Sequence, residues 1–196
     1  KVNSIEFNVM QGTVVNSFVQ KFNVEGYQTQ ALISTNPSYF NSRNAYRSLG
    51  FNHIDYLSEK HGKINVEGDI FLFDGVLFDE IEKMSETRLD KESKPFFFYA
   101  LGIYGHKDFY RNSEIRPDVV KCNPHNDDIN KIANQFYYRT KAIAKFLKNI
   151  HKIDPEGIVL VISDHLPPGV LKYSGYKYTK YTNIALFKDD DKFLDI

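Results

Sequence analysis

Gly157-Ile158-Val159-Leu160-Val161-Ile162-Ser163 runs directly into Asp164-His165, and the reading of this stretch decides the fold class. A run this apolar and β-branched has the composition of a strand buried on both faces, as in a parallel sheet. In open α/β sheets ligands gather at the carboxyl ends of the strands. A carboxylate and an imidazole delivered together to that edge can reach one metal ion. Leu166-Pro167-Pro168-Gly169 then ends regular structure, as a loop around a site would. The plainer reading is a turn in which Asp164 satisfies backbone donors.

Working outward, helices and strands alternate. Val15, Phe18, Val19 and Phe22 share one face of a helix over 14–22, Gly26 stops it, and Tyr27 to Ile33 follows as a strand. Asn36 to Asn44 is loop-like, and Leu49 to Asp55 reads as a helix end turning into a short extended piece. Asp74 is a good N-cap for a helix over 76–86. Residues 96–103 form a second strongly apolar strand, Phe-Phe-Phe-Tyr-Ala-Leu-Gly-Ile, ending at Tyr104-Gly105-His106. Residues 107–131 are polar and irregular and resemble a functional loop. The clearest helix spans 132–150; its basic face, with Arg139, Lys141, Lys145 and Lys148, reads as solvated surface. Strands at 157–163 and 182–187 complete the order. Such alternation argues for a mostly parallel sheet with helices on both faces.

Composition narrows the function classes. Lys plus Arg and Asp plus Glu are 25 each among 196 residues, so net charge gives no argument for a nucleic-acid partner. Cys122 is the single cysteine, which excludes an intrachain disulfide scaffold. No apolar stretch is long enough to span a bilayer.

Two apolar strands end alike, in Gly105-His106 and in Asp164-His165. As neighbours in a parallel sheet they would bring two imidazoles and a carboxylate to one edge, enough for a divalent metal and an anionic substrate. Lys94-Pro-Phe-Phe-Phe-Tyr-Ala-Leu-Gly-Ile-Tyr-Gly-His106, the helix segment Tyr137 to Leu147, Val76 to Ile81, and Ile158 to Pro168 occur in an order and spacing that resemble the sulfatase-like enzymes of the alkaline phosphatase superfamily. Within it, the nearest resemblance is to the membrane-anchored phosphoglycerol and phosphoethanolamine transferases, including lipoteichoic acid synthase-like proteins.

The resemblance implies a three-layer αβα sandwich with an alkaline phosphatase-like sheet, residues 1–196 forming one partial catalytic domain. It implies transfer of a phosphoethanolamine or phosphoglycerol group through a Thr or Ser nucleophile, helped by one divalent metal (Mn, Zn or Mg). The donor would be a phospholipid and the acceptor an envelope glycan or lipid, outside the cytoplasm. By position Asp164 and His165 would be metal ligands, His106 would meet the substrate phosphate, and Arg43 would grip it. Val2 stands where the nucleophile aligns, leaving Ser4 as the oxygen-bearing substitute. The chain is accordingly read as a fragment, with the nucleophile's strand, any membrane helices and the closing segment outside it. The alternatives are a sulfatase or phosphodiesterase-type hydrolase, disfavoured for a formylglycine enzyme by the position of Cys122, and a catalytically degenerate anion-binding module.

Overall fold

A computed structural model describes residues 12, 16–60, 69, 71–91, 94–106, 108–163 and 185–188. The central strand β1 (Gln28–Ile33) pairs in parallel with β2 (His53–Tyr56) on one side and β3 (Phe96–Leu101) on the other, giving the order β2-β1-β3. Ile33 lies opposite both Tyr56 and Leu101, so the three carboxyl ends finish at one level.

Alternation along β1 feeds two apolar layers. Leu32 packs with Leu77 and Ile81 of α4 (Asp74–Lys91) and with Phe146 and Ile150 of α5 (Asp127–Ile153). Ala31 and Ile33 pack on the opposite side with Tyr46 of α2 (Ser42–Leu49) and Tyr56. The short α1 (Phe18–Val24) joins that second side, where Phe22 stacks on Phe97 of β3 at 4.5 Å between centroids. Helices thus cover both faces of the parallel sheet, and the α/β, three-layer expectation holds.

The buried polar residues of β1, Thr29 and Gln30, each have partners. Thr29 N–H donates to Asn52 Oδ1 (2.9 Å), and its hydroxyl donates to Asn23 Oδ1 (2.8 Å). Gln30 is bound between Asp55 and Arg88. Such pairing removes the desolvation penalty that a lone buried amide would carry.

Three expectations are corrected. The opening helix begins at Phe18, not 14, because Ser17 caps it: the Ser17 hydroxyl accepts from Gln20 N–H while the Gln20 side chain accepts from Ser17 N–H. Ser42 to Asn44 opens α2 and is not loop; consecutive left-handed residues Phe40 (φ 51°) and Asn41 (φ 53°) turn the chain into it. The strand at 159–162, here β4, is buried on one face only. Val159 and Val161 are half-buried, while Ile158, Leu160 and Ile162 are 66%, 53% and 57% exposed. Apolar composition does not say whether a second layer covers a strand. Among the described residues β4 pairs antiparallel with β5 (Ala185–Lys188), and no ladder joins it to β3. After β2 comes a single helical turn, α3 (Leu57–Lys60). No helix among the described residues is long and apolar enough to cross a membrane.

Candidate functional site

His106 stands on a tight turn beyond the carboxyl end of β3. Its N–H donates to the Ile103 carbonyl (2.9 Å), and Phe109 N–H donates to its own carbonyl (3.3 Å). The ring is exposed and meets Phe71 edge-on at 5.8 Å between centroids. Among the described residues no hydrogen bond engages the imidazole.

The turn is held from beneath. Tyr104, fully buried, packs edge-on against Phe73 at 5.1 Å, and the Arg116 guanidinium lies 4.4 Å over the Phe73 ring. Arg116 pairs with the buried Asp69, whose other oxygen accepts from Asn112 N–H. Burial, and then the Asp69 charge, push the Tyr104 phenol up to about 12, with Arg116 acting in the opposite sense. The following loop is not loose. Asn134 Oδ1 on α5 accepts from Val119 N–H (2.7 Å) and Val120 N–H (2.8 Å), its amide donates to the Val120 carbonyl (2.7 Å), and Asn130 accepts from Cys122 N–H (2.8 Å).

A second group borders His106. Arg139 Nε donates to Asp74 Oδ2 (2.7 Å), and its guanidinium lies 5.6 Å from the Phe136 ring centre. Asp74 is buried at the start of α4, and among the described residues its Oδ1 has no hydrogen-bond partner. Two glycines of the β3 turn make room for this pair. A Cβ on Gly102 would lie 2.4 Å from Asp74 Oδ1, and one on Gly105 would lie 2.1 Å from Arg139 Nη1.

Arg43 lies on the other side of β1. It lines a cleft of about 550 Å³ with Asn36, Ser38, Asn44, Ser58 and Glu59. Its guanidinium is committed to Glu59 and sits 5.7 Å from the Tyr56 ring centre. Burial raises the Tyr56 phenol, while Ser42 and Arg43 oppose the shift. His106 and Arg43 therefore both follow carboxyl ends of the sheet, and among the described residues their partners differ, Phe71 for one and Glu59 for the other. Ser4, Asp164 and His165 lie outside the described residues. Among the described residues no group of three or more His, Cys, Asp or Glu side chains could hold a metal ion.

Sequence reasoning passed over Arg139 by grouping it with Lys141, Lys145 and Lys148. Lys145 does pair at the surface with Asp79. Arg139, however, falls one turn after Gln135 and seven residues before Phe146, both buried, so its spacing placed it on the inward stripe of α5.

Residues 2–184 match the profile of the Sulfatase family. The chain belongs to that family. Its fold resembles that of the lipoteichoic acid synthase LtaP from Listeria monocytogenes (TM-score 0.77, 14% identity, 94% of this chain and 48% of that one). It also resembles an alkaline phosphatase superfamily protein from Vibrio parahaemolyticus (TM-score 0.70, 19% identity, 97% and 44%). A third likeness is to the phosphoglycerol transferase GacH of Streptococcus pyogenes, solved with sn-glycerol-1-phosphate (TM-score 0.59, 19% identity, 85% and 44%). A curated relative in Rhizobium meliloti (strain 1021), named "Putative cyclic beta-1,2-glucan modification protein", is 25% identical over 170 residues, 85% of this chain and 26% of the relative. The sulfatase-family chain thus spans under half of these solved structures and about a quarter of that relative. At these identities the structural likenesses establish the alkaline phosphatase-like fold.

Proposed function

We propose that residues 1–196 form one partial sulfatase-like domain of a metal-dependent transferase, which moves a phosphoglycerol or phosphoethanolamine group from a phospholipid to an envelope glycan or lipid outside the cytoplasm. The observation that carries this reading is the family match along residues 2–184, which includes His106, Asp164 and His165. Two solved relatives in the same fold are named as a lipoteichoic acid synthase and a phosphoglycerol transferase.

In this reading Asp164 and His165 hold one divalent ion; a carboxylate and an imidazole suit manganese, zinc and magnesium in different degrees. When bound, the ion supplies positive charge against the oxygens of the transferring group. His106, exposed on its turn, donates a hydrogen bond to the substrate phosphate or the departing oxygen. Arg43 borders the neighbouring cleft and contacts the same anion after leaving Glu59. The nucleophile is a Thr or Ser hydroxyl, with Ser4 the candidate within this chain.

Isothermal titration with manganese and with zinc tests the metal assignment. Asp164→Ala abolishes the binding heat if the assignment holds; equal heats from wild type and variant remove it. A second reading, a degenerate anion-binding module, follows from the family resemblance, by which residue 2, a valine, would fall where the nucleophile is expected. Release of glycerol phosphate or phosphoethanolamine from a lipid donor by the protein excludes the module.

A further inference from the structure

We propose that Arg139 is a further residue that binds the substrate phosphate, from the turn that carries His106, with Asp74 and Gly105 as its positioning residues. This assignment rests on the phosphotransferase reading and deepens it. One edge of the guanidinium is fixed through Nε to Asp74 Oδ2 (2.7 Å), and its plane is backed by the Phe136 ring. Asp74 is buried and α4 begins at it, so it cannot follow the arginine outward. The other edge faces the Gly105-His106 turn, where Nη1 occupies the space a Cβ would take. Among the described residues neither Nη nitrogen has a hydrogen-bond partner. The arginine side chain is 27% exposed, and His106, next in sequence to Gly105, is also exposed.

This arrangement suits a tetrahedral phosphate ester. A planar fork with one edge already oriented loses little freedom when its remaining N–H groups meet two phosphate oxygens. The imidazole carried on the same turn offers a third donor. Arg43 differs at each point: its guanidinium is spent on Glu59, and both side chains of that pair are largely exposed. The buried carboxylate behind Arg139 has a further effect. It holds the cation in place when no substrate is present, so the guanidinium is oriented before binding.

Titration of the protein with inorganic phosphate, read by the NMR signals of the Arg139 Nε–H group and the His106 ring, tests the proposal without any variant. Both sets of signals shift along one binding curve if the geometry holds; an Arg139 signal that stays still while phosphate saturates His106 overturns it. Arg139→Lys keeps the charge opposite Asp74 and loses the fork, so phosphate affinity falls by about tenfold. Gly105→Ala leaves every charge in place and displaces Nη1, and it also weakens binding. Lys145→Gln removes a charge from the same helix, away from the turn, and changes affinity by less than about twofold. Folded Arg139→Lys and Gly105→Ala proteins that bind phosphate as wild type does overturn the assignment. Phosphate binding through Arg139 in a protein that gives no heat with manganese supports this inference while sinking the metal reading. Metal heat with an unmoved Arg139 does the reverse. Glycerol phosphate and phosphoethanolamine, each titrated in turn, both shift the Arg139 signal if the shared phosphate is what is read.

Discussion

Replacing Asp69 by Asn isolates the ion pair beneath the His106 turn. Asp69 is completely buried and Arg116 nearly so, and the two are joined directly. The substitution is close to isosteric but removes the negative charge that Asp69 pairs with that guanidinium. Surface pairs are worth at most about 1 kcal/mol, whereas breaking a buried pair strands the remaining charge and costs about 3–5 kcal/mol. Two further features place Asp69 in the second class: its Oδ1 holds Asn112 N–H, and Arg116 is covered by Phe73 and Tyr104. For a chain of this length, 3–5 kcal/mol lowers the melting temperature by roughly 6–20 °C. The assay is thermal unfolding followed by circular dichroism, together with limited proteolysis between residues 108 and 126. Asp69→Leu combined with Arg116→Met, which removes both charges, recovers most of the loss. A melting temperature for Asp69→Asn within about 2 °C of wild type, on the scale of a surface pair, would refute the argument.

Other outcomes follow from the same packing. Asn134→Ala removes three bonds to the backbone of residues 119–120 and destabilises by about 1–3 kcal/mol, read as faster amide exchange at Val119 and Val120. Leu32→Ala opens the layer beneath α4 and α5 and costs about 2–5 kcal/mol in urea unfolding. Tyr104 gives a signature in alkali. Burial first, and the Asp69 charge second, raise its folded value from 10.0 to about 12. The unfolded phenol therefore ionises first, and the stability it contributes is complete below pH 10 and declines as pH rises to about 12. Tyr46, also raised by burial, adds to the decline. Unfolding free energies measured from pH 9 to 12 should fall less steeply in Tyr104→Phe than in wild type.

The sequence carried the alternation of elements well because the periodic signals were strong. Phe96 to Leu101 and the long α5 are each visible in their own residues, and the β1 strand ends where Tyr27 to Ile33 suggested. Features that depend on what lies opposite were hidden. β4 looks doubly buried from Val159 to Ile162, yet only the alternate valines turn inward. β1, with Gln28, Thr29 and Gln30, looks less buried than it is, because Asn23, Asn52, Asp55 and Arg88 meet its polar groups from distant positions. The place of His106 beyond an apolar strand was legible. The packing of Arg139 was not, since it depends on Asp74, sixty-five residues earlier, and on a glycine in another element.

β1 supplies both apolar layers from neighbouring positions: Leu32 to one, Ala31 and Ile33 to the other. Neither layer can melt while the other keeps its contribution from this strand in place. Heat should therefore dissolve the two together, in a single calorimetric peak whose van't Hoff and measured enthalpies agree, and a slip of one residue along β1 would ruin both at once.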